Sequence, residues 1–239
     1  MSTVGIFIPV RLASTRLPEK AKANIAGKPM MIWVAEKAVA ANAGDVILAC
    51  ADKELADLAH KYGYKAVFTG GNHFAGTDCV HAAYKACGKH YDIVVNVQGD
   101  LPALDPAIVA KIIKNLQESG ADIATAAAPI QSESERTNPN VVKAIIAFNG
   151  RALYFTRTAS PHSTGDDFHH VGIYAFRAAA LDRFVKLPQT PLEKRESLEQ
   201  LRALENGMSI SVAQVDKAPH GVDTPEDLEF IRKKMEAAI

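Results

Sequence analysis

The sequence is poor in cysteine and has no long apolar run. Its 239 residues contain three cysteines, Cys50, Cys79 and Cys87, which are odd in number and widely spaced. Such a set argues against a disulfide framework and offers no close pair for a metal knuckle, so a reducing, cytoplasmic compartment is expected. No stretch approaches the roughly 18 apolar residues of a membrane span, and no charged segment precedes the first apolar run. Neither membrane insertion nor secretion is therefore expected.

The sequence also lacks an excess of charge of either sign. Lys plus Arg and Asp plus Glu both number 27, so the formal net charge is zero. A protein that coats nucleic acid normally carries a basic excess, so no nucleic-acid partner is expected. With 48% hydrophobic residues, the chain can bury a substantial core without disulfides or metal.

Apolar runs alternate with amphipathic segments over the first 130 residues. This alternation predicts a largely parallel sheet with helices on both faces. Ligands bind such sheets outside the carboxyl ends of the strands. Strands are predicted at Val4–Val10, Val46–Ala49, Ala66–Phe68, Ile93–Val97 and Ile123–Ala127, and helices near 30–42, 53–61, 77–88 and 106–118.

The rhythm changes after about residue 130. A polar stretch, further strands and a charged helix around 192–205 predict a smaller lobe at roughly 140–215, within a single domain of residues 1–239. The chain closes with "VDTPEDLEFIRKKMEAA", where Thr224 is suited to cap a helix and Pro225 to begin it. The sequence therefore predicts a carboxyl-terminal helix from this point.

Five cations follow the first strand within "IFIPVRLASTRLPEKAKANIAGKPM". They are Arg11, Arg16, Lys20, Lys22 and Lys28. Arg presents a planar fork to phosphate oxygens and Lys a point charge, so the segment is suited to a polyphosphate at the carboxyl end of the strand. It matches neither the Walker nor the GxGxxG pattern, and a solvated basic loop is the alternative.

Two aspartates are candidate metal ligands. Asp100 follows an apolar strand and Gly99, so it projects from the sheet edge, where a carboxylate can hold Mg²⁺. Asp223 precedes the last predicted helix and could serve only as an amino-terminal acid that complements the helix dipole. If both face one cleft, carboxylates beside a basic loop indicate metal-assisted chemistry on a polyphosphate.

Taken together, the motifs resemble the CMP-3-deoxy-manno-octulosonate (CMP-Kdo) synthetase family. They occur in the family's order from residue 6 to about 230: "IPVRLASTRLPEKAKANIAGKPM", "AGTD", "NVQGD", "NPNVVK", "ALYFTR", "HVGIYAFR", "PLEKRESLEQLRALENG" and "GVDTPEDLE". The resemblance implies a Rossmann-like α/β/α nucleotidyltransferase fold, usually a homodimer. It implies transfer of CMP from CTP to the anomeric hydroxyl of an acidic 2-keto-3-deoxy sugar, for surface polysaccharide such as lipopolysaccharide.

The same resemblance implies roles for individual residues. The catalytic set is Arg11, Lys20, Asp100 and Asp223, with Mg²⁺ held by the two aspartates. The smaller lobe would bind the acceptor and form the dimer. The nucleotide would contact Pro9, Arg11, Ser14, Arg16, Lys20, Ala75, Gly76, Thr77 and Asp78, and the sugar would contact Gln98, Arg157, His170, Tyr174, Glu196 and Glu199.

Three features depart from the family pattern, and all are expected on the acceptor side. Cys79 stands where the family carries an arginine, Leu101 where it carries Glu or Gln, and the segment 158–169 is short and acidic. The acceptor could therefore be Kdo or a relative such as an amino-substituted Kdo or a nonulosonic acid. A non-catalytic nucleotide-sugar binding protein and an enzyme that activates sugar 1-phosphates are the remaining alternatives.

Overall fold

The computed structural model describes residues 2–71, 73, 75–159 and 165–237. The chain forms two compact units, one of Met1–Ala110 with Pro219–Ile239 and the other of Lys111–Ala218. The smaller lobe predicted at roughly 140–215 falls within the second unit, and its roles in acceptor binding and dimerisation stay predictions.

The elements follow one another in this order. The first half contains β1 (Val4–Val10), a 3₁₀ helix (Lys20–Lys22), β2 (Asn24–Ile25), β3 (Lys28–Pro29), α1 (Met30–Ala40), β4 (Asp45–Cys50), α2 (Lys53–Lys61), β5 (Lys65–Phe68), α3 (Gly76–Ala86), β6 (Ile93–Asn96) and α4 (Pro106–Ser119). The second half contains β7 (Ile123–Pro129), α5 (Glu133–Thr137), β8 (Lys143–Ile146), β9 (Ala152–Thr156), β10 (Phe168–Arg177), α6 (Ala178–Phe184), α7 (Pro191–Glu196), α8 (Leu201–Glu205), β11 (Ile210–Gln214) and α9 (Pro225–Glu236).

The first unit is built on a parallel sheet. Its strand order is β6, β1, β4, β5, and β1 pairs in parallel with both β4 and β6. The β1 residues Ile6, Phe7 and Ile8 have no exposed surface, which agrees with a strand covered on both faces. The segments that follow β1, β4, β5 and β6 therefore meet at one edge of this sheet. The predicted α/β class with a parallel sheet is confirmed.

The second unit contains a mixed sheet. Strand β7 lies between β11, its parallel partner, and β10, its antiparallel partner. The β8–β9 hairpin joins β10 through an antiparallel pairing. Strand β10 carries an irregularity between Val171 and Tyr174, so residues on either side of it are offset against β7.

The opening loop is more structured than the sequence indicates. A 3₁₀ turn at Lys20–Lys22 and the short β2–β3 hairpin occur within it, although no strand or helix is predicted there from the sequence. Ile25 and Met30 pack into one buried cluster with Val222 and Leu228. The apolar contacts of this cluster bring the first loop and the last helix together, although they are about 200 residues apart in the chain.

The predicted charged helix at 192–205 is wrong as a single helix. Helices α7 and α8 are separated at Ser197, which adopts a left-handed conformation with φ 54°. Arg202 Nε donates to Glu193 Oε2 over 2.9 Å, and both side chains are buried. In a straight helix nine residues advance about 13.5 Å, so this ion pair requires the chain to turn between the two helices.

Helix α9 begins as predicted. Thr224 Oγ1 accepts a hydrogen bond from Asp227 N, Thr224 N donates one to Asp227 Oδ2, and Pro225 stands at the first helical position. This arrangement is a capping box with proline at its preferred place.

Within the described part of the chain, no helix is long and apolar enough to cross a membrane.

Candidate active site

A cleft of about 740 Å³ opens at the carboxyl edge of the parallel sheet in the first unit. It is formed by the opening loop, the segments after β4, β5 and β6, the start of α3 and the turn before α9. Its lining includes Pro9, Arg11, Ser14, Arg16, Lys20, Asp52, His73, Ala75, Gly76, Cys79, Gln98, Asp100 and Asp223. The predicted basic loop and both predicted aspartates therefore share one cavity.

Lys20 joins the two aspartates. Its Nζ lies 2.9 Å from Asp100 Oδ2 and 3.0 Å from Asp223 Oδ1. Burial disfavours the charged form of this amine, but the charges and hydrogen bonds of the two carboxylates outweigh burial and raise the pKa of Lys20 above its ordinary 10.5. The ammonium group is therefore a fixed positive charge between two negative ones at neutral pH.

Asp100 and Asp223 are held by their backbones as well as by Lys20. Val222 N donates to Asp100 O over 2.9 Å, which ties the segment after β6 to the turn before α9. Asp223 N donates to Asp227 Oδ2 over 3.1 Å within the cap of α9. Asp223 thus lies at the start of a helix and also faces the cleft. Its position agrees both with an acid that complements the helix dipole and with a candidate metal ligand.

Position 99 requires glycine because the segment after β6 passes very close to the end of β1. A Cβ at this position would lie 2.7 Å from Pro9 O and 2.8 Å from Val10 Cγ1, which is closer than real Cβ atoms come to such atoms. Only glycine lets the segment after β6 pass the end of β1, and this passage carries Asp100 to the edge of the cleft.

The five loop cations divide into two groups. Arg11, Arg16 and Lys20 line the cleft, and Arg16 Nη2 lies 3.1 Å from Asp223 Oδ2. Lys22 pairs with Glu19 and Glu54, and Lys28 pairs with Glu36, at 2.7 Å in each case. Within the described residues, Arg11 has no hydrogen bond or ion pair through its guanidinium group, so its charge is available to a ligand in the cleft.

Asp52 anchors the opening loop, and the sequence interpretation missed it. Its Oδ2 accepts a hydrogen bond from Leu12 N over 2.7 Å, and the residue lines the cleft. The signal was present, because Asp52 follows the apolar strand β4 just as Asp100 follows β6. His73 was also missed; its Nε2 is buried and has no hydrogen-bond partner in the part of the chain that the structure describes.

The start of α3 contributes part of the predicted nucleotide segment. Ala75 and Gly76 line the cleft, whereas Thr77 is buried and is not among the lining residues. Asp78 accepts a hydrogen bond from Ala75 N over 3.1 Å and so stabilises the first turn of the helix. The nucleotide-binding role predicted for these four residues stays a prediction.

Two of the departures from the family pattern lie in the first unit. Cys79 lines the cleft with only 4% exposure, and its thiol donates to Ala49 O at 3.4 Å. Burial raises the pKa of this thiol, although Thr69 and Arg11 act in the opposite direction. Leu101 is buried and packs beside Gly221 rather than appearing among the lining residues. Within the third departure, 158–169, residues 160–164 lie outside the described part.

The other predicted sugar residues divide between the units. Gln98 lies in the cleft of the first unit. Arg157 and Glu196 contact each other in the second unit, where Arg157 N donates to Glu196 Oε2 at 2.9 Å and Arg157 Nε donates to Glu196 O at 2.8 Å. These bonds fix the end of β9 against the end of α7.

His170, Tyr174 and Glu199 form a second group in the same unit. The rings of His170 and Tyr174 have centroids 5.6 Å apart, and His170 Nε2 lies 2.9 Å from Thr125 Oγ1. Burial lowers the pKa of His170 to about 3, with a smaller effect from His169, so this imidazole is neutral at physiological pH. Burial and the nearby charge of Glu199 raise the pKa of Tyr174.

Comparison with known proteins identifies the family to which the chain belongs. Residues 5–210 match the family model described as cytidylyltransferase. Two relatives carry the name 3-deoxy-manno-octulosonate cytidylyltransferase. The one from Paramagnetospirillum magneticum is 49% identical and covers 97% of both chains. The one from Rhodospirillum centenum is 52% identical and covers 95% of this chain and 91% of the relative.

A solved structure gives the same result for the fold. A CMP:2-keto-3-deoxy-manno-octonic acid synthetase complexed with CTP superposes with a TM-score of 0.95 at 34% sequence identity, over the full length of both chains. The resemblance seen in the motifs, the nucleotidyltransferase fold and the enzyme class are thereby confirmed. The chain belongs to the cytidylyltransferase family of nucleotidyltransferases, in the group formed by the 3-deoxy-manno-octulosonate cytidylyltransferases.

Proposed function

We propose that this protein transfers CMP from CTP to the anomeric hydroxyl of 3-deoxy-manno-octulosonate and releases pyrophosphate. One observation carries the proposal: three loop cations and two aspartates meet in a single cleft, at the sheet edge where ligands of this fold class bind. Relatives about 50% identical bear the name of this activity, which favours Kdo among the acidic sugars.

The cations of the cleft are suited to the triphosphate. Arg11 offers a guanidinium fork that has no partner among the described residues, and Lys20 offers a half-buried point charge. Arg16 and Ser14 would assist, with Pro9 near the base and the Ala75–Asp78 segment on the other side of the nucleotide. The resulting positive field stabilises pyrophosphate as it departs, because charge on the leaving group grows during the transfer.

The carboxylates fit a magnesium ion. Asp100 and Asp223 converge on one ammonium group, so their oxygens already face one cationic position. Among the described residues, no group of three or more Asp, Glu, His or Cys side chains could enclose a metal. Mg²⁺ is commonly held by one or two carboxylates together with water and substrate phosphates, which is the donor set available here. When bound, Mg²⁺ would neutralise phosphate charge and favour ionisation of a nearby hydroxyl.

The chain's own residues would then act by charge and position. The anomeric oxygen attacks the α-phosphorus, the bond from that phosphorus to the oxygen bridging the α- and β-phosphates breaks, pyrophosphate departs with this oxygen, and the hydroxyl proton passes to water. Arg11 and Lys20 hold the phosphates that depart. No nucleophilic side chain enters the reaction, so no covalent enzyme intermediate is expected.

We further propose the setting of the reaction. The residues for the acid sugar are Gln98, Arg157, His170, Tyr174, Glu196 and Glu199, as the family resemblance implies. The product would serve lipopolysaccharide assembly, and the reaction would take place in the cytoplasm, where CTP is supplied.

A homodimer is supported by the β8–β9 hairpin, which exposes Phe148 completely and 58% of Leu153.

The direct test is pyrophosphate release from CTP and Mg²⁺ with a panel of acceptors. The panel contains Kdo, 8-amino-8-deoxy-Kdo and a nonulosonic acid, and a reaction without acceptor is the blank. We expect the highest kcat/KM with Kdo, together with a CMP-sugar product identified by mass spectrometry. Preference for another acid would redefine the acceptor, and no release with any acceptor would favour a non-catalytic binding protein.

A further inference from the structure

We propose that Asn96 is a positioning residue for the acceptor sugar: it orients the side-chain amide of Gln98 so that its carbonyl oxygen faces the cleft. The inference rests on the proposed function, because it assigns a task to the acceptor side of that reaction. Asn96 does not line the cleft, and it acts through Gln98, which does.

Asn96 is a polar side chain in an otherwise apolar strand. It is the last residue of β6, where all four residues are buried, and its own exposure is 0%. Burying an amide without hydrogen bonds costs a few kcal/mol, so an amide at this position needs partners on both its atoms. The Asn96 amide makes one hydrogen bond through its nitrogen and one through its oxygen. Both partners belong to segments that are predicted to contact a substrate.

The two hydrogen bonds set a direction. Asn96 Nδ2 donates to Thr77 Oγ1 over 3.2 Å, at the start of α3. This arrangement leaves Asn96 Oδ1 as the acceptor, and Gln98 Nε2 donates to it over 3.3 Å. The amide nitrogen of Gln98 therefore faces the strand, and its Oε1 is left for the cleft.

The position of Oε1 agrees with this direction. The atom lies 3.7 Å from the point that a Cβ on Gly76 would occupy, and Gly76 lines the cleft together with Gln98. In the described part of the chain, Gln98 Oε1 accepts no hydrogen bond. The cleft thus presents a neutral acceptor beside a site that is otherwise rich in cationic donors.

A lone acceptor selects for a particular ligand chemistry. The triphosphate and the sugar carboxylate carry only acceptor oxygens toward their surroundings, so neither can bond to Oε1. A hydroxyl of the acceptor sugar can donate to it. The ribose hydroxyls and the cytosine amino group of CTP are donors as well, so the KM values for Kdo and for CTP are measured separately below. If the Gln98 amide turned over, a donor would face the cleft instead and would favour an anion. Asn96 therefore determines which part of the acceptor is recognised here.

The test compares Asn96→Leu with the wild-type enzyme in steady-state assays. Leucine has a similar volume but cannot hold the Gln98 amide. We expect the KM for Kdo to rise at least fivefold, whereas the KM for CTP changes less than twofold. In a Gln98→Met background, adding Asn96→Leu should change the KM for Kdo by less than twofold, because the group through which Asn96 acts is already absent.

Two further variants keep the test decisive. Asn96→Ser replaces Asn96→Leu if the leucine variant fails to fold. It retains a hydroxyl near Thr77, but its side chain is too short to bond Gln98, so the KM for Kdo should rise as in Asn96→Leu. Ser211→Ala removes a buried hydroxyl that bonds Ser119 in the second unit, and it should leave both KM values unchanged. Thermal melting of each variant separates lost stability from lost positioning.

The outcomes are distinguishable from failure of the proposed function. If the wild-type protein does not use Kdo in the same assay, the proposed function fails before any variant is compared. If the wild type is active and Asn96→Leu raises both KM values equally, or acts as strongly in the Gln98→Met background as alone, Asn96 is structural and the inference is overturned.

Discussion

At the scale of single residues, the cleft depends on charges that are balanced before any ligand arrives. Lys20 neutralises Asp100 and Asp223 at distances near 3 Å, and Arg16 adds a second contact to Asp223. Arg11 keeps its charge free within the described residues. A polyphosphate that enters this cleft therefore meets one open guanidinium group first, and it competes with the carboxylates for Lys20.

This balance predicts a selective effect of removing Lys20. Lys20→Met should weaken CTP binding at least tenfold, about 1.4 kcal/mol, because a half-buried cation is lost and two carboxylates are left to repel the phosphates. Isothermal titration calorimetry with CTP measures the change. Lys22→Met is the matched control, since Lys22 pairs with Glu19 and Glu54 outside the cleft lining, and it should alter the affinity less than twofold. Equal effects of the two variants would contradict a phosphate role for Lys20.

His170 gives a second prediction at this scale. Its pKa is about 3 in the folded protein and about 6.5 in an unfolded chain, so the unfolded state binds the proton more readily. The stabilising effect of a neutral His170 is complete above pH 6.5 and is lost as the pH falls below it. Between pH 7 and pH 5 this group should lower the free energy of unfolding by about 2 kcal/mol.

Urea denaturation of His170→Gln at both pH values tests this expectation. Glutamine retains a partner for Thr125 but does not titrate, so the variant should lose less stability than the wild type between pH 7 and pH 5. His60→Gln changes an exposed histidine of α2 and should behave as the wild type. The same pH dependence in His170→Gln and the wild type would show that another group controls acid stability.

At the scale of elements, short segments are oriented by single contacts that connect them. Gly99 lets the segment after β6 pass the end of β1, and Asn96 joins β6 to α3. In the second unit, the buried pair Glu193–Arg202 folds α8 back onto α7. Burial would raise the pKa of Glu193, but hydrogen bonds from Arg202 and Thr190 lower it, so the carboxylate is ionised at neutral pH.

Breaking the Glu193–Arg202 pair should therefore be costly. Arg202→Met leaves an ionised carboxylate buried without its charged partner, for which a loss of roughly 3 to 5 kcal/mol in the free energy of unfolding is expected. The double variant Glu193→Leu, Arg202→Met removes both charges and should recover part of that loss. Chemical denaturation of the three proteins measures it. A single variant as stable as the wild type would contradict the role assigned to the pair.

The strands and helices differ in how well the sequence predicts them. Strands β1, β4, β5, β6 and β7 and helices α1 to α4 lie where apolar period and turn residues predict them. The break between α7 and α8 was missed because the sequence 192–205 has good helical composition throughout. Helix α7 ends because Ser197 adopts a left-handed conformation and because Glu193 pairs with Arg202, nine residues further along the chain. Hydrophobic periodicity within the segment predicts neither of these.

At the scale of the whole molecule, the proposed homodimer predicts a measurable role for the exposed hairpin. Phe148→Asp places a charge on the β8–β9 turn, where it would be buried between two copies, so the protein should shift toward the monomer in light scattering coupled to gel filtration. Phe230→Asp is the control, because Phe230 is also exposed, on α9. A wild-type monomer, or a dimer indifferent to Phe148→Asp, would contradict this assignment of the interface.

The sequence by itself determined the fold class, the motifs of the family and the residues that cap α9. These depend on residue type and on spacing within about fifteen positions, where periodicity and local propensity act. The family resemblance already assigned Arg11, Arg16 and Lys20 to the nucleotide, and only the tertiary structure decided that Lys20 stands between carboxylates 80 and 203 residues away. Long-range contacts of this kind follow from how the apolar cluster of Ile25, Met30 and Val222 packs, and no local pattern encodes them.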